Sequence, residues 1–301
     1  MTEPNSLKAV PAPAQPKRWG YTMEELASAP IVYREDLYAD RVVLITGGGG
    51  GFGRAMTFLF ARLGATVAIC GRKLEKLEET ADGVRRLLGK DVVTTHAMTI
   101  RDPEQCTALV EDIWRRRGRM DLLVNNAGGQ FPQAAIDFSP KGWLAVIDTN
   151  LNGTWYMMQA AARRWRDAGQ PGSIVNIVAN VWRGMPQVAH TCAARAGVIY
   201  LSKTLSTEWA PLQIRVNCVS PGSINSEGLN VYSPAAAAQF EKTNPMQTLG
   251  DVYDVGQAVA YLGAPSGKFI TGEVLVVDGG NCQWGDVWPA GKPAYFNVGD
   301  P

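Results

Sequence analysis

The chain has 301 residues, 46% of them hydrophobic, with 29 basic and 28 acidic side chains and a net charge of +1. Near-neutrality argues against nucleic-acid and membrane-surface partners, both of which require a basic face. The first 20 residues are polar and hold four prolines, so no secretory signal is read there. No run approaches the roughly 18 apolar residues of a membrane span. Cys70, Cys106, Cys192, Cys218 and Cys282 show no CxxC spacing, and His96 and His190 lie too far apart to suggest a zinc site, so no metal is expected. What remains is a reduced, cytoplasmic α/β protein with roughly 40 to 60 residues more than one such domain needs.

Residues 1–39 carry Pro4, Pro11, Pro13, Pro16 and Pro30 and little periodicity, and read as an arm that is loosely ordered or draped over the surface. Thr22 and Glu25 fit a capping box that starts one short helix. Strand-like apolar runs follow at Val42–Thr46, Thr66–Cys70, Val92–Thr95, Leu122–Asn125, Ile174–Val178, Ile214–Ser220 and Glu273–Val277. Their shortness and Val/Ile content mark strands buried on both faces of a parallel sheet. Between them, Phe52, Met56, Leu59 and Leu63 make one helical stripe, and Pro103 and Gly118 bracket a helix carrying Leu109 and Ile113. The expected fold is a single Rossmann-type α/β domain over residues 40–280, a doubly wound seven-stranded parallel sheet with helices on both faces. Residues 281–301 form a tail whose Trp284, Trp288, Tyr295 and Phe296 are too aromatic for a solvated end.

Thr46-Gly-Gly-Gly-Gly-Gly-Phe-Gly53 lies between the first strand and the first helix of this pattern. It satisfies G-x-G-x-x-G at Gly48, Gly50 and Gly53, and T-G-x-x-x-G-x-G at Thr46, Gly47, Gly51 and Gly53. Glycines bring backbone close to a pyrophosphate, and the helix start offers free N–H groups. Thr46, Gly47, Gly49, Gly51, Phe52 and Gly53 are therefore candidate dinucleotide contacts. The second strand ends in Cys70-Gly-Arg-Lys73, with no carboxylate before Glu75 to hold a ribose 2′-hydroxyl. Arg72 can instead pair with a 2′-phosphate, so the expected cofactor is NADP(H).

Three further motifs, Asn125-Asn-Ala-Gly128, Pro221-Gly222 and Asp278-Gly-Gly280, fall in order after the fourth, sixth and last strands. With the glycine run they resemble the short-chain dehydrogenases/reductases over about residues 40–280. The resemblance implies that Asn126, Ala127 and Gly128 pack along the cofactor. It also implies that Pro221, Gly222, Ile224 and Ser226 approach the nicotinamide or pyrophosphate, and that Thr99 and Ile100 take the adenine position. It implies a homo-oligomer, a tetramer or dimer built on the helices around residues 143–168 and 191–209. Met157, Ala161 and Trp165 form a stripe there that suits either interface or core.

The family's catalytic Asn matches Asn150, read on a long helix, but the usual Tyr-x-x-x-Lys is replaced. Aligning the family's S-K-A-G-V stretch with Ala193-Ala-Arg-Ala-Gly-Val198 puts Arg195 at the lysine and Thr191 at the tyrosine, while the serine falls on Val178 or Ala179. Threonine donates a hydrogen bond but is too weak an acid to shuttle a proton alone, and arginine stays charged while binding ribose hydroxyls. Such a site suits hydride addition to an activated alkene, where an enolate oxygen needs fixed donors. His190 is a candidate proton donor, or else a loop histidine bonded to a backbone carbonyl; Thr191 is alternatively a helix N-cap. Gln130, Trp182 and Met185 come from loops at the C-terminal strand ends and, with Val178, are candidate substrate contacts, although Trp182 and Met185 equally suit the packing of a lid.

Gly128-Gly-Gln-Phe131, Lys141-Gly-Trp143 and His190–Gly197 resemble the peroxisomal trans-2-enoyl-CoA reductases, relatives of the 2,4-dienoyl-CoA reductases. Val181-Trp-Arg-Gly-Met-Pro186 also resembles bacterial citronellol/citronellal dehydrogenases, and Trp288–Gly291 leans toward the enoyl-CoA group. Three functions therefore stand: reduction of an enoyl thioester or enone, with acyl-CoA among the substrates; dehydrogenation of branched, terpenoid-like alcohols or aldehydes; and a catalytically silent cofactor-binding homologue.

Overall fold

The computed structural model describes residues 19–231 and 239–283. In chain order these form α1 (Met23–Ser28), β1 (Val42–Thr46), α2 (Gly51–Arg62), β2 (Thr66–Gly71), α3 (Leu74–Leu88), β3 (Val93–Ala97), α4 (Pro103–Arg117), β4 (Leu122–Asn125), α5 (Pro140–Ile147) and α6 (Gly153–Ala168). Then follow β5 (Gly172–Ile177), α7 (Ala189–Glu208), β6 (Ile214–Pro221), β7 (Ile224–Asn225), β8 (Gly250–Asp251), α8 (Val252–Gly263) and β9 (Val274–Val277). Seven strands make one parallel sheet in the order β3-β2-β1-β4-β5-β6-β9. The order reverses between β1 and β4, and a crevice opens above the carboxyl ends of those strands.

Alternation along the buried strands sorts the core into two layers. Val43 and Ile45 face one layer with Met56, Leu59, Leu63 and Val255. Val42 and Leu44 face the other with Ile113, Met157, Ala161 and Trp165. The Met157–Trp165 stripe is thus interior to one chain, with all three side chains fully buried. Of the expected α2 stripe, Phe52 alone is half-exposed. Helix α4 opens on Pro103 as read, and Asp102 caps it by accepting from the N–H groups of Glu104 and Gln105; Gly118 closes it with φ 71°. Among the described residues no helix is long and apolar enough to cross a membrane.

From residue 19 onward the arm is anchored rather than loose. The Thr22–Glu25 capping box forms, Leu26 and Tyr38 are buried in the core, and Arg62 donates to the carbonyls of Leu26 and Ala29. Two apolar anchors far apart in sequence leave no periodic trace, so composition alone reads the segment as irregular. Residues 1–18, and the tail aromatics Trp284, Trp288, Tyr295 and Phe296, lie outside the described residues.

Candidate active site

The glycine-rich turn follows β1 and enters α2. A Cβ on Gly53 would stand 2.1 Å from the Gly47 carbonyl oxygen, so only glycine lets the helix start fold against the turn. Thr46 and Asn126 tie this turn to the loop after β4. Thr46 Oγ1 accepts from the N–H groups of Asn126 and Ala127 at 3.0 and 2.9 Å, and Asn126 Nδ2 donates to Thr46 O at 2.9 Å. Above them lies a cleft of about 390 Å³ lined by Gly47, Gly49, Arg72, Thr99, Ile100, Ala127 and Gly128 among others. Thr46, Gly53 and Asn126 build it from behind. Lys73, Lys76 and Arg101 also line it, and no lining residue is a carboxylate. A glycine cradle at a helix start, with cations among the lining, has the donor set for the phosphates of a dinucleotide. Lys76 and Arg101 escaped the sequence reading; Lys76 lies one helical turn beyond Lys73, a spacing that could have shown it.

Asn150, Thr191 and Arg195 meet beneath the Gly128–Gln130 loop, all buried. Asn150 is not on a regular helix: a π-helical turn, Asp148–Asn152, separates α5 from α6. Its carboxamide grips Gly129, Oδ1 accepting from the N–H and Nδ2 donating to the carbonyl, both at 3.0 Å. Asn150 Nδ2 also donates to Thr191 Oγ1 at 2.9 Å. Thr191 sits in the first turn of α7, whose N-cap is Val188, so it is not itself the cap. With Oγ1 accepting from Asn150, the Thr191 hydroxyl keeps a proton to donate. Arg195 Nη1 donates to the Ile177 carbonyl at 2.7 Å. A Cβ on Gly128 would lie 2.2 Å from Arg195 Nη2, so a side chain there would push the guanidinium aside. No carboxylate among the described residues pairs with Arg195. Burial pushes its pKa down to about 10, which still leaves it charged at neutral pH.

His190 is on a helix rather than the expected loop, in contact with the Val188 and Phe131 backbone. It lies in the first turn of α7, with its ring packed against Phe131 and Phe138 at centroid distances of 4.7 and 4.5 Å. Burial lowers its pKa from the ordinary value, against the smaller opposing pull of the Val188 and Phe131 backbone. The ring is therefore neutral near pH 7, keeping one ring N–H but not the imidazolium proton that a general acid would give. Its Nδ1 accepts from the Thr191 N–H at 2.7 Å, which makes it a wedge that sets the start of α7.

A second cleft, about 440 Å³, is lined by Phe52, Gln130, Ala179, Met185, Pro221, Gly222, Ile224 and Ser226 among others. Phe52, Pro221 at the end of β6, and Gly222, Ile224 and Ser226 beyond it thus face this cleft, not the one beside Arg72. Arg183 is the one charged side chain among its described lining residues. Two substrate candidates fall elsewhere. Val178 is buried against Val198, Ile199 and Cys218, and the Trp182 ring is 47% exposed and outside the lining. A buried polar chain missed from sequence supports the floor: Asn125 donates to Asn176, and Asn176 and Cys218 both donate to Ser202 on α7.

A doubly wound sheet with this turn, this loop after β4 and a buried donor set at the start of α7 defines a nucleotide-dependent oxidoreductase of the Rossmann type. The chain belongs to the short-chain dehydrogenase/reductase family: residues 48–281 match the family model described as enoyl-(acyl carrier protein) reductase. It is 36% identical over 254 residues to a probable 2,4-dienoyl-CoA reductase of Bacillus subtilis, covering 83% of this chain and 98% of that protein. It is 34% identical over 257 residues to the peroxisomal 2,4-dienoyl-CoA reductase of Saccharomyces cerevisiae, covering 82% and 86%. Among solved structures, the citronellol catabolism dehydrogenase AtuB of Pseudomonas aeruginosa superposes with a TM-score of 0.75 at 35% identity, covering 84% of this chain and 99% of that one. The chain is thus an oxidoreductase of this family, similar to the dienoyl-CoA reductases and built for a nicotinamide dinucleotide.

Proposed function

We propose that the chain is an NADPH-dependent reductase of a carbon–carbon double bond conjugated to a thioester carbonyl, with an acyl-CoA as substrate. The observation that carries this reading is the buried set Asn150, Thr191 and Arg195, which offers hydrogen bonds and positive charge but no group that cycles a proton near neutral pH. When bound, the reduced nicotinamide supplies the hydride taken up by the β-carbon. Thr191 donates its hydroxyl proton in a hydrogen bond to the thioester oxygen, and Asn150 holds that hydroxyl in place. Arg195 binds ribose hydroxyls and places a desolvated positive charge beside the developing enolate. Water entering from the second cleft protonates the α-carbon. Arg72, Lys73, Lys76 and Arg101 favour the dinucleotide that carries a 2′-phosphate. Relatives that act on 2,4-dienoyl-CoA support the thioester.

A second reading, oxidation of a branched alcohol or reduction of its aldehyde, is favoured by the likeness to the citronellol catabolism dehydrogenase. One substrate comparison separates the two. Absorbance at 340 nm should fall with NADPH and crotonyl-type or 2,4-dienoyl thioesters, and hold steady with saturated aldehydes. The opposite pattern refutes the reductase. Equal or better kcat/KM with NADH refutes the choice of nucleotide.

A further inference from the structure

Two consecutive arm residues meet the short β7–β8 ladder on both of its strands. The Gly20 N–H donates to Asn225 Oδ1 at 2.7 Å, and the Tyr21 hydroxyl donates to Asp251 Oδ2 at 2.8 Å. Asn225 and Asp251 are register partners in that ladder, so adjacent arm residues grip one rung from its two sides. The Tyr21 ring also contacts Tyr253 edge-on, with centroids 6.2 Å apart. Burial and the bond to Asp251 push the Tyr21 hydroxyl up to about 12, so it stays a donor across the working pH range.

The ladder positions a segment that lines the second cleft and contacts the start of α2 behind the glycine-rich turn. Ile224, Ser226 and Leu229 line the second cleft. Between them Glu227 turns to the glycine-rich turn, where its carboxylate accepts from Arg54 Nη1 at 3.4 Å. Arg54 Nη2 in turn donates to the Gly49 carbonyl at 3.0 Å. One series of contacts therefore runs from Gly20 and Tyr21, through residues 224–229, to the turn that cradles the dinucleotide. The segment holds only a two-residue strand and a 3₁₀ turn. With so little regular structure of its own, it depends on such outside grips for its position.

We propose that Gly20 and Tyr21 are a clasp: positioning residues that fix Ile224–Leu229 for dinucleotide and substrate binding, which makes the N-terminal arm part of the site. This rests on the reading that the second cleft, which Ile224 and Ser226 line, takes the nicotinamide end of the dinucleotide. Without the clasp, binding must also order the segment, and affinity falls by the share of the chain that is not already in place.

The test uses the full-length chain with Tyr21→Phe, Asn225→Ala and the double variant. NADPH and NADH are titrated by quenching of tryptophan fluorescence, alongside kcat, KM, melting temperature and amide hydrogen exchange at residues 224–229. Each single variant should raise the NADPH Kd and the substrate KM about fivefold, the scale of one lost hydrogen bond, with kcat within about twofold. Exchange at residues 224–229 should quicken, and the double variant should fall short of the product of the two effects. Unchanged Kd and KM in both single variants, whatever the melting temperature does, overturn the clasp. A wild-type chain that binds neither nucleotide overturns the cofactor reading beneath it instead.

Discussion

Replacing Thr191 with Val removes one hydroxyl and keeps the shape of a side chain that is only 1% exposed. Two losses follow, of different size and in different measurements. The first concerns folding: Asn150 Nδ2 loses its 2.9 Å acceptor and keeps only the Gly129 carbonyl. One buried donor left unpaired costs about 1–2 kcal/mol, a drop of roughly 2–8 °C in melting temperature for a domain of this size. The second concerns turnover. A missing donor to a developing oxyanion costs about 10²–10³ in kcat, or roughly 3–4 kcal/mol. Dinucleotide affinity should change by less than about twofold, since Thr191 lies outside the lining of the nucleotide cleft. Turnover at 340 nm with saturating enoyl thioester, NADPH titration and calorimetry measure the three quantities, and Thr191→Ser should restore most of the rate. A Thr191→Val enzyme that turns over at the wild-type rate removes Thr191 from the mechanism.

Arg72→Ala should raise the KM for NADPH about tenfold and leave that for NADH nearly unchanged, because an arginine–phosphate pair is lost from an exposed site; equal changes for both nucleotides would refute the 2′-phosphate contact. His190 is held neutral by burial, so its folded pKa lies below the ordinary 6.5. The unfolded chain then takes up a proton below about pH 6.5 that the folded chain refuses, and stability falls as the pH drops through that value. His190→Phe should flatten the melting-temperature decline between pH 7 and 5, while His96, also lowered by burial, keeps part of it; an unchanged slope would contradict the packing of His190 as a neutral wedge. We further propose a homo-oligomer, dimer or tetramer, built in part on the exposed Trp143, Leu144 and Tyr200. Light scattering should give a multiple of the 32.5 kDa chain mass, and a monomer at micromolar concentration would exclude it.

The sheet was legible because every central strand is buried on both faces, which forces a continuous apolar run that sequence shows directly. Pro103 and Gly118 were legible for a local reason, since each obeys a backbone rule that needs no tertiary partner. The candidate site was legible only as far as its residues follow such local rules. Gly53 could be read from the turn, but the π turn at Asn150 could not, because Asp148–Asn152 is composed like any helix and its partner Gly129 lies in a distant loop. His190 misled because its side chain suits acid–base chemistry, whereas Phe131 and Phe138 arrive from a distant loop to bury it. Trp182 misled in the opposite sense, as an aromatic residue between two cleft-lining stretches that is half-exposed and outside the lining itself. The stripe Met157, Ala161 and Trp165 has one apolar face in either setting, so only the fold could assign it to the core.

The π turn has a consequence for how the catalytic floor can change. A regular α-helix advances about 100° per residue, and a π turn accommodates one residue more than that cadence allows. Helices α5 and α6 are therefore out of phase by about that angle, and Asn150 stands at the point where the phase slips. Drawing the same residues into a regular helix, with none removed, would rotate everything upstream relative to everything downstream. Either Asn150 would swing away from Gly129 and Thr191, or the face of α6 holding Met157 and Trp165 would leave the core. The angular offset joins the donor set to the packing of the domain. Regularising these five residues at constant length would strike both at once.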